Sequence, residues 1–286
     1  MQRRLVLEFT KMNGAGNDFV VLDNRFYHFS EAELSELAAR LCPRRVAVGA
    51  DGLLAFSTPS SEEFDYRMRY YNADGSLGTM CGNGARCLAR FARLAGLNKD
   101  ELTFESDAGV YRAIVPADPH GPIRLYVKPP REFTPNRPLK SSLGMHVGPV
   151  HYIWTGTEHA VSFVEDVDST PVEACGRAVR TDVALAPAGA NVNFVQVVQN
   201  GTPDKPKLRV RTFEKGVEAE TLACGTGAMA SAVVARLMGL VSSNQVEVQM
   251  PGGTLSVGFE LNSDGGVEGL YLEGPAEVVY RGTVEV

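Results

Sequence analysis

The 286-residue sequence has no uninterrupted apolar run of membrane-spanning length. Its longest apolar tract, Ala228 to Leu240, is broken by Ser231 and Arg236. Met1 to Phe9 carries two arginines and is too short to hold a secretory h-region with its cleavage site, so a cytoplasmic location is the expectation. Positive charge is not in excess. Lys and Arg number 28 against 34 Asp and Glu, a net charge of −6, which argues against a nucleic-acid or acidic-membrane partner. A small anionic substrate stays possible, because backbone dipoles bind anions without net positive charge. Cysteine is scarce and odd in number: Cys42, Cys81, Cys87, Cys175 and Cys224. With no export signal visible, this argues against a disulfide framework. No C-x-x-C pair and no histidine cluster at ligand spacing occurs, so no metal site is expected. Apolar residues at 44% suffice for a sizeable core, in one large domain or two of ordinary size.

The chain does contain a repeat. Cys81 to Leu97 reads C-G-N-G-A-R-C-L-A-R-F-A-R-L-A-G-L, and Cys224 to Leu240 reads C-G-T-G-A-M-A-S-A-V-V-A-R-L-M-G-L. Both open on Cys-Gly-x-Gly-Ala, carry Arg-Leu at one offset and close on Gly-Leu. The cysteines stand 143 positions apart, half the length of the chain. The sequel matches in kind: strand-like Leu102 to Glu105 and Val110 to Val115 in the first copy, Val246 to Gln249 and Thr254 to Phe259 in the second. Shared register over this span predicts two related halves.

Further strand signals fall at Val6 to Met12, Phe19 to Leu22, Tyr66 to Tyr71, Val147 to Trp154, Ala160 to Val164, Phe194 to Val198, Leu208 to Phe213 and Val278 to Val279. Ser30 with Glu33 forms a capping box that opens a helix ending near Cys42-Pro43. Helices also start after Cys81 and Cys224. The second is apolar on every face from Ala228 to Val234 and must be buried all round. Wrapping a curved sheet around such a helix, once per half, would bury it. The Pro-rich stretch Lys128 to Pro138 is the expected linker.

Each Cys-Gly-x-Gly places a cysteine at a strand-to-helix turn. The glycines leave the first helical amides uncovered, and those amides with the helix dipole attract an anion. They also favour ionisation of a nearby thiol. One such element alone reads as a buried structural cysteine; two at symmetric positions point to chemistry. Inverting a carbon requires removal of a proton from one face and delivery to the other, which a thiolate and a thiol can share. The carbanion would be stabilised by amides aimed at the α-carboxylate in a dry pocket.

Asn13-Gly14-Ala15-Gly16-Asn17-Asp18-Phe19, Asn72-Ala73-Asp74-Gly75-Ser76, Cys81 to Arg86 and Glu220 to Gly227 resemble the signature segments of the diaminopimelate epimerases, and the likeness runs from Met12 to about Tyr280. The resemblance implies an α+β fold of two pseudo-symmetric domains, each a mixed sheet rolled into a barrel around a central helix. The domains would be 1–126 with 275–286, and 127–274, the last strand returning to the first domain. It implies pyridoxal-phosphate-independent interconversion of LL- and meso-2,6-diaminopimelate, with no cofactor, no metal and a homodimeric assembly. It assigns Cys81 and Cys224 as the acid–base pair, and the amides of Gly82, Asn83, Gly225 and Thr226 to the reacting carboxylate. Asn17, Asn72, Asn191, Glu214 and Lys215 would take the ammonium groups and distal carboxylate, His159 and Glu214 would tune the thiols, and Tyr280 would contact the second subunit.

Plainer readings stand beside these. Asparagines in turns need no function, Lys215-Gly216 fits an exposed turn, a lone His159 fits a structural role, and Tyr280 fits a terminal strand packed on its own core. Lys215 stands where many members carry arginine, losing the bidentate fork on a carboxylate. Thr157 replaces a common asparagine and Gly52 a frequent glutamine. A proline racemase typically has histidine where Asn83 stands, and an isomerase like those of phenazine biosynthesis needs no cysteine pair. Gly14-Ala15-Gly16 precedes a strand-like run instead of opening a helix, so the dinucleotide fingerprint fails.

Overall fold

The computed structural model describes residues 5–78, 80–140, 148–202 and 204–286, with the backbone alone for 199–202. It divides into two compact units, Met1–Leu125 with Gly274–Val286, and Tyr126–Glu273. The first contains β1 (Val6–Gly14), β2 (Asn17–Asp23), α1 (Asn24–Tyr27), α2 (Glu31–Leu41), β3 (Gly52–Ser57), β4 (Tyr66–Asn72), β5 (Leu77–Gly78), α3 (Gly82–Leu94), β6 (Glu101–Ser106) and β7 (Gly109–Ile114). At the boundary lies β8 (Ile123–Tyr126), and the C-terminal β18 (Glu277–Glu285) returns to this unit. The second contains β9 (Arg131–Thr134), β10 (Val150–Trp154), β11 (Glu158–Phe163), α4 (Val172–Arg180), β12 (Asn191–Thr202), β13 (Lys205–Glu214), β14 (Ala219–Thr221), α5 (Gly225–Leu237), β15 (Gln245–Met250), β16 (Gly253–Leu261) and β17 (Val267–Gly274).

The two sheets repeat one another except at one end, where β17 extends the second beyond the counterpart of β7. In the first the order is β18-β1-β2-β3-β4-β6-β7, with β5 also on β4. In the second it is β9-β10-β11-β12-β13-β15-β16-β17, with β14 also on β13. The parallel pairs fall at equivalent places, β2–β3 and β4–β6 against β11–β12 and β13–β15. Each parallel pair needs a crossover, and a helix supplies it: α2 and α4 for the first pair, α3 and α5 for the second. The class is α+β with mixed sheets, as expected. The end strands of neither sheet pair with each other among the described residues, so each is a rolled but open sheet instead of a closed barrel.

Helix α5 is buried without a break from Gly227 to Ala235 and packs on β10, β11, β12, β13, β15 and β16. Its all-round apolarity is the cause: no face of it can be left in water. Helix α3 lies against β1, β2, β3 and β4 and buries even Arg86 and Arg90. Strands β2 and β3 are apolar on both faces because each face has its own helix. Val20, Leu22, Leu53 and Ala55 pack outward with Leu34, Leu37, Ala38 and Leu41 of α2, while Phe19 and Leu54 meet Gly84 of α3. Each such fully buried large side chain contributes roughly 1.5–3 kcal/mol. The capping box forms as expected, with Ser30 accepting from the Glu33 amide and Glu33 accepting from that of Ser30.

Two expectations need correction. The stretch Lys128 to Pro138 is not linker throughout. Its prolines bracket Arg131–Thr134, which pairs with β10 at a sheet edge, where neighbouring prolines are tolerated. The strand expected from Val147 is observed from Val150; Val147 lies outside the described residues. Gly14-Ala15-Gly16 forms the tip of the β1–β2 hairpin, where Ala15 and Gly16 both have positive φ, 60° and 104°, and Gly14 pairs with Asn17. That is the backbone twist a two-residue hairpin requires.

Candidate active site

Both repeat cysteines are helix N-caps with nearly the same backbone. Cys81 begins α3 at φ −132°, ψ 115°, and Cys224 begins α5 at φ −132°, ψ 101°. Extended geometry at this position turns the strand into the helix and leaves the amides that follow without intrahelical partners. The Gly84 amide donates to Cys81 Sγ at 3.5 Å. Cys224 Sγ lies 3.5 Å from Thr226 Oγ1. Cys81 is half-buried and Cys224 buried. A sulfur that accepts from a helix N-terminal amide is favoured as thiolate.

In each unit a hairpin tip leans on the N-terminus of the central helix. In the first, Asn83 Nδ2 donates to Asn17 Oδ1 at 2.6 Å. In the second, Thr155 Oγ1 donates to Thr226 O at 2.9 Å. The Asn17–Asn83 contact belongs to a longer chain. Arg86 Nη2 donates to Asn83 Oδ1 (2.8 Å) and Asn17 Nδ2 donates to Asp51 Oδ2 (3.1 Å), while Arg44 Nη2 donates to Asp51 Oδ1 (2.8 Å). Arginine can only donate and a carboxylate only accept, so both asparagine amides are fixed in orientation from the two ends. Asp18 joins through Arg44 and Lys11. Burial works to raise its carboxyl, but these two cations outweigh it and hold it below the usual range.

Asn72 ends β4 in this unit. Its Nδ2 donates to Ser76 Oγ at 2.9 Å and its Oδ1 accepts from Tyr70 Oη at 2.8 Å. Tyr70 explains the departure at Gly52, which pairs with Asn72. A Cβ on Gly52 would stand 2.5 Å from Tyr71 O and 2.7 Å from the Tyr70 ring, and one on Gly78 2.3 Å from that ring. The Tyr70 ring thus fills the space a longer residue 52 would need. Tyr70 was not singled out from the sequence, where a tyrosine in a strand carries no signal beyond its β propensity.

The second unit gathers His159, Asn191, Glu158 and Lys215. His159 is in register with Asn191 across the parallel β11–β12 pair, and the Lys215 amide donates to Asn191 Oδ1 at 2.8 Å. Lys215 Nζ is 2.5 Å from Glu158 Oε2, which also accepts from Thr157 Oγ1 at 2.9 Å. Burial works to raise the Glu158 carboxyl, yet Lys215 and Thr157 hold it below its ordinary value. Glu214 closes β13, half-buried, with its carbonyl accepting from the Glu218 amide at 2.8 Å.

His159 has a defined tautomer. Asn193 Nδ2 donates to the Ala160 carbonyl (3.3 Å), which can only accept, so that atom is the amide nitrogen. The same nitrogen lies 3.0 Å from His159 Nδ1, which is therefore the acceptor, and Thr212 Oγ1 donates to Asn193 Oδ1 at 2.9 Å. Complete burial pushes the imidazole down to about 3, so the ring is neutral with its proton on Nε2. Nε2 has no partner among the described residues. Asn193 also borders the cysteine turn. A Cβ on Gly227 would lie 2.3 Å from Asn193 Oδ1 and 3.2 Å from Cys224 Sγ. Asn193 and Arg86 carry much of the internal wiring and were not assigned roles from the sequence; Arg86 at least fell within a recognised motif.

Tyr280 is elsewhere, on β18 opposite Lys11, with its ring edge-on to Phe9 at 5.9 Å. A register shift there leaves Val279 and Tyr280 both exposed. No group of three or more His, Cys, Asp or Glu among the described residues could hold a metal ion, and no helix among them is long and apolar enough to cross a membrane.

The fold is thus two units, each a mixed sheet wrapped around a central helix that opens on a cysteine. A phenazine biosynthesis protein of the PhzF family from Bacillus anthracis is similar in fold, with a TM-score of 0.75 at 19% identity over 99% of this chain and 100% of its own. A family profile for diaminopimelate epimerase matches residues 9–129 and 151–279. A diaminopimelate epimerase of Chlorobaculum tepidum is 42% identical over 96% of this chain and 99% of its own length. One of Methanothrix thermoacetophila is 41% identical over 97% and 96%. The chain belongs to the diaminopimelate epimerase family.

Proposed function

We propose that this chain interconverts LL- and meso-2,6-diaminopimelate, supplying precursor for lysine and peptidoglycan, with Cys81 and Cys224 as a thiolate–thiol pair that needs no cofactor. The observation that carries the reading is a cysteine at the N-cap of both central helices in a chain of this family. One thiolate takes the α-proton, breaking Cα–H and forming S–H. The other thiol delivers its proton to the opposite face and is left as thiolate. The protonation states are exchanged at the end of each turnover. The amides of Gly82, Asn83, Gly225 and Thr226 hold the α-carboxylate, where carbanion charge accumulates. Neutral His159 supports the thiol pair as a donor through Nε2–H, and Glu214 lends negative charge that favours the protonated thiol.

Asn17, Asn72, Asn191, Glu214 and Lys215 take the remaining polar ends of the substrate. Lys215 must exchange Glu158 for the distal carboxylate. A substrate without that carboxylate leaves polar groups unmatched, at about 1–3 kcal/mol for each that is buried. The expected result with purified protein and chiral chromatography is rapid inversion of LL- and meso-diaminopimelate and little or none of lysine, glutamate, aspartate or proline. Higher kcat/KM for proline or glutamate would make the substrate assignment wrong.

The enzyme is further proposed to act in the cytoplasm as a homodimer, with exposed Val279 and Tyr280 in the subunit contact. Tyr280→Ala is expected to dissociate at low micromolar concentration in sedimentation velocity, whereas the wild type remains dimeric. A variant that sediments as the wild type does would remove Tyr280 from the interface.

A further inference from the structure

Arg86 occupies a place where a cation is costly. Its side chain is fully buried in α3, and it forms no ion pair among the described residues. Its hydrogen bonds go to neutral oxygens: Nη2 to Asn83 Oδ1 at 2.8 Å and Nη1 to Gly82 O at 3.4 Å, while Nε has no partner among the described residues. A buried charge without an opposite charge is strongly disfavoured, and a guanidinium does not relieve this by losing its proton near neutrality. Burial draws Arg86 down only to about 10, so it is a cation under working conditions.

The charged groups around it are committed elsewhere. Of the strands packed on α3, β3 has no charged residue, and Glu8 of β1 is exposed. Lys11 of β1 pairs with Asp18 of β2, and Asp23 of β2 pairs with Arg25. Arg67 and Arg69 of β4 share Asp107. Asp51 is held by Arg44 and Asn17, and Glu277 of β18 lies 3.3 Å from His120. The groups able to become anions that act on Arg86 are Cys87 and Cys81. Cys87 is wholly buried and pushed up to about 12 by that burial, so it stays a neutral thiol. Cys81 remains. It is half-buried, it caps the helix that carries Arg86, and its sulfur already accepts from the Gly84 amide.

We propose that the Arg86 guanidinium is the built-in counter-ion of a Cys81 thiolate. It acts as a positioning residue that keeps the sulfur ionised and, through Gly82 O and Asn83 Oδ1, holds the turn that carries it. The charge balance is simple. When the thiolate forms, the Sγ proton leaves to solvent and the buried cation gains its anion. When Cys81 takes an α-proton, Arg86 is left uncompensated, which makes the resulting thiol a ready donor in the reverse direction. The proposal rests on Cys81 as an acid–base group, but ionisation can be read without turnover.

The test uses iodoacetamide, a neutral probe that alkylates thiolates and is not steered by charge. Alkylation of the Cys81 peptide is followed by mass spectrometry across pH in the intact protein. For the wild type the expected midpoint lies well below the value of about 8.5 of a free cysteine. Arg86→Gln should raise the midpoint by at least about one pH unit, slowing alkylation at neutral pH roughly tenfold or more, and Arg86→Lys should recover most of the loss. A wild-type midpoint equal to that of a free thiol overturns the proposal, and this arm does not depend on any variant folding. So does Arg86→Gln with an unchanged midpoint. If the wild type fails to epimerise diaminopimelate while these shifts are seen, the substrate assignment fails and the ion pair stands.

Discussion

Cys81→Ala and Cys224→Ala should each lower kcat for inversion of LL-diaminopimelate by at least about a thousandfold, the range in which loss of a positioned acid–base group falls. The protein should remain folded in both. Cys81 accepts from the Gly84 amide as an N-cap, so its removal costs up to about 1 kcal/mol, while the Cys224 side chain caps no helix amide and its loss should be milder. Stability and activity losses would therefore not run in parallel, and thermal unfolding separates them. In deuterium oxide the wild type should place solvent deuterium at the inverted centre, because the delivered proton comes from an exchangeable thiol. A variant with one thiol can still remove a proton from its own side and return one there, giving exchange without inversion. The two variants should wash deuterium into opposite stereoisomers. Wild-type inversion rates in either would sink the two-thiol mechanism.

The internal repeat was legible because its carriers are local: glycines at a tight turn, a cysteine before them, and an apolar helix after them. The same holds for the Ser30–Glu33 box. Other elements left weaker traces. Strand β3, Gly52–Ser57, is apolar on both faces and lacks the period-2 alternation that marks a half-exposed strand. Helix α4 opens after Pro171 with no side-chain cap, so it lacks the start signal that Ser30 gives α2, and only Glu173 in its first turn and Arg177 and Arg180 in its last mark it. Strand β9 hides among prolines that are tolerated because it lies at a sheet edge. The site divides in the same way. The cysteines and their glycines belong to one short motif, whereas Asn17 and Asn83 meet across 66 positions, and Asn193 and His159 across 34. Such contacts are made by sheet register, which a single sequence does not spell out. Tyr70 over Gly52 and Gly78 is a further case: two absent side chains make room for one ring.

Gly227→Ala should abolish most activity, although the substitution is ordinarily favourable within a helix by about 1 kcal/mol. Gly227 follows the cysteine turn by three residues, and the added Cβ would stand 2.3 Å from Asn193 Oδ1 and 3.2 Å from Cys224 Sγ. Neither neighbour can yield freely. Asn193 is completely buried and tied to Thr212, to the Ala160 carbonyl and to His159. Moving its amide breaks the contact that keeps the proton of His159 on Nε2, and it leaves buried polar atoms unmatched at about 1–3 kcal/mol each. Moving the helix instead displaces the Cys224 turn. The net expectation is a loss of roughly 2 kcal/mol in unfolding free energy and a fall in kcat of about a hundredfold or more, with KM changing far less, since the disturbance lies at the acid–base groups. Denaturant unfolding gives the first quantity and steady-state epimerisation the second. NMR of ¹⁵N-labelled imidazole supplies a third reading, as the His159 signal should lose the Nε2–H pattern of the wild type. Wild-type stability together with wild-type turnover in Gly227→Ala would mean that the Asn193 relay does not constrain the site.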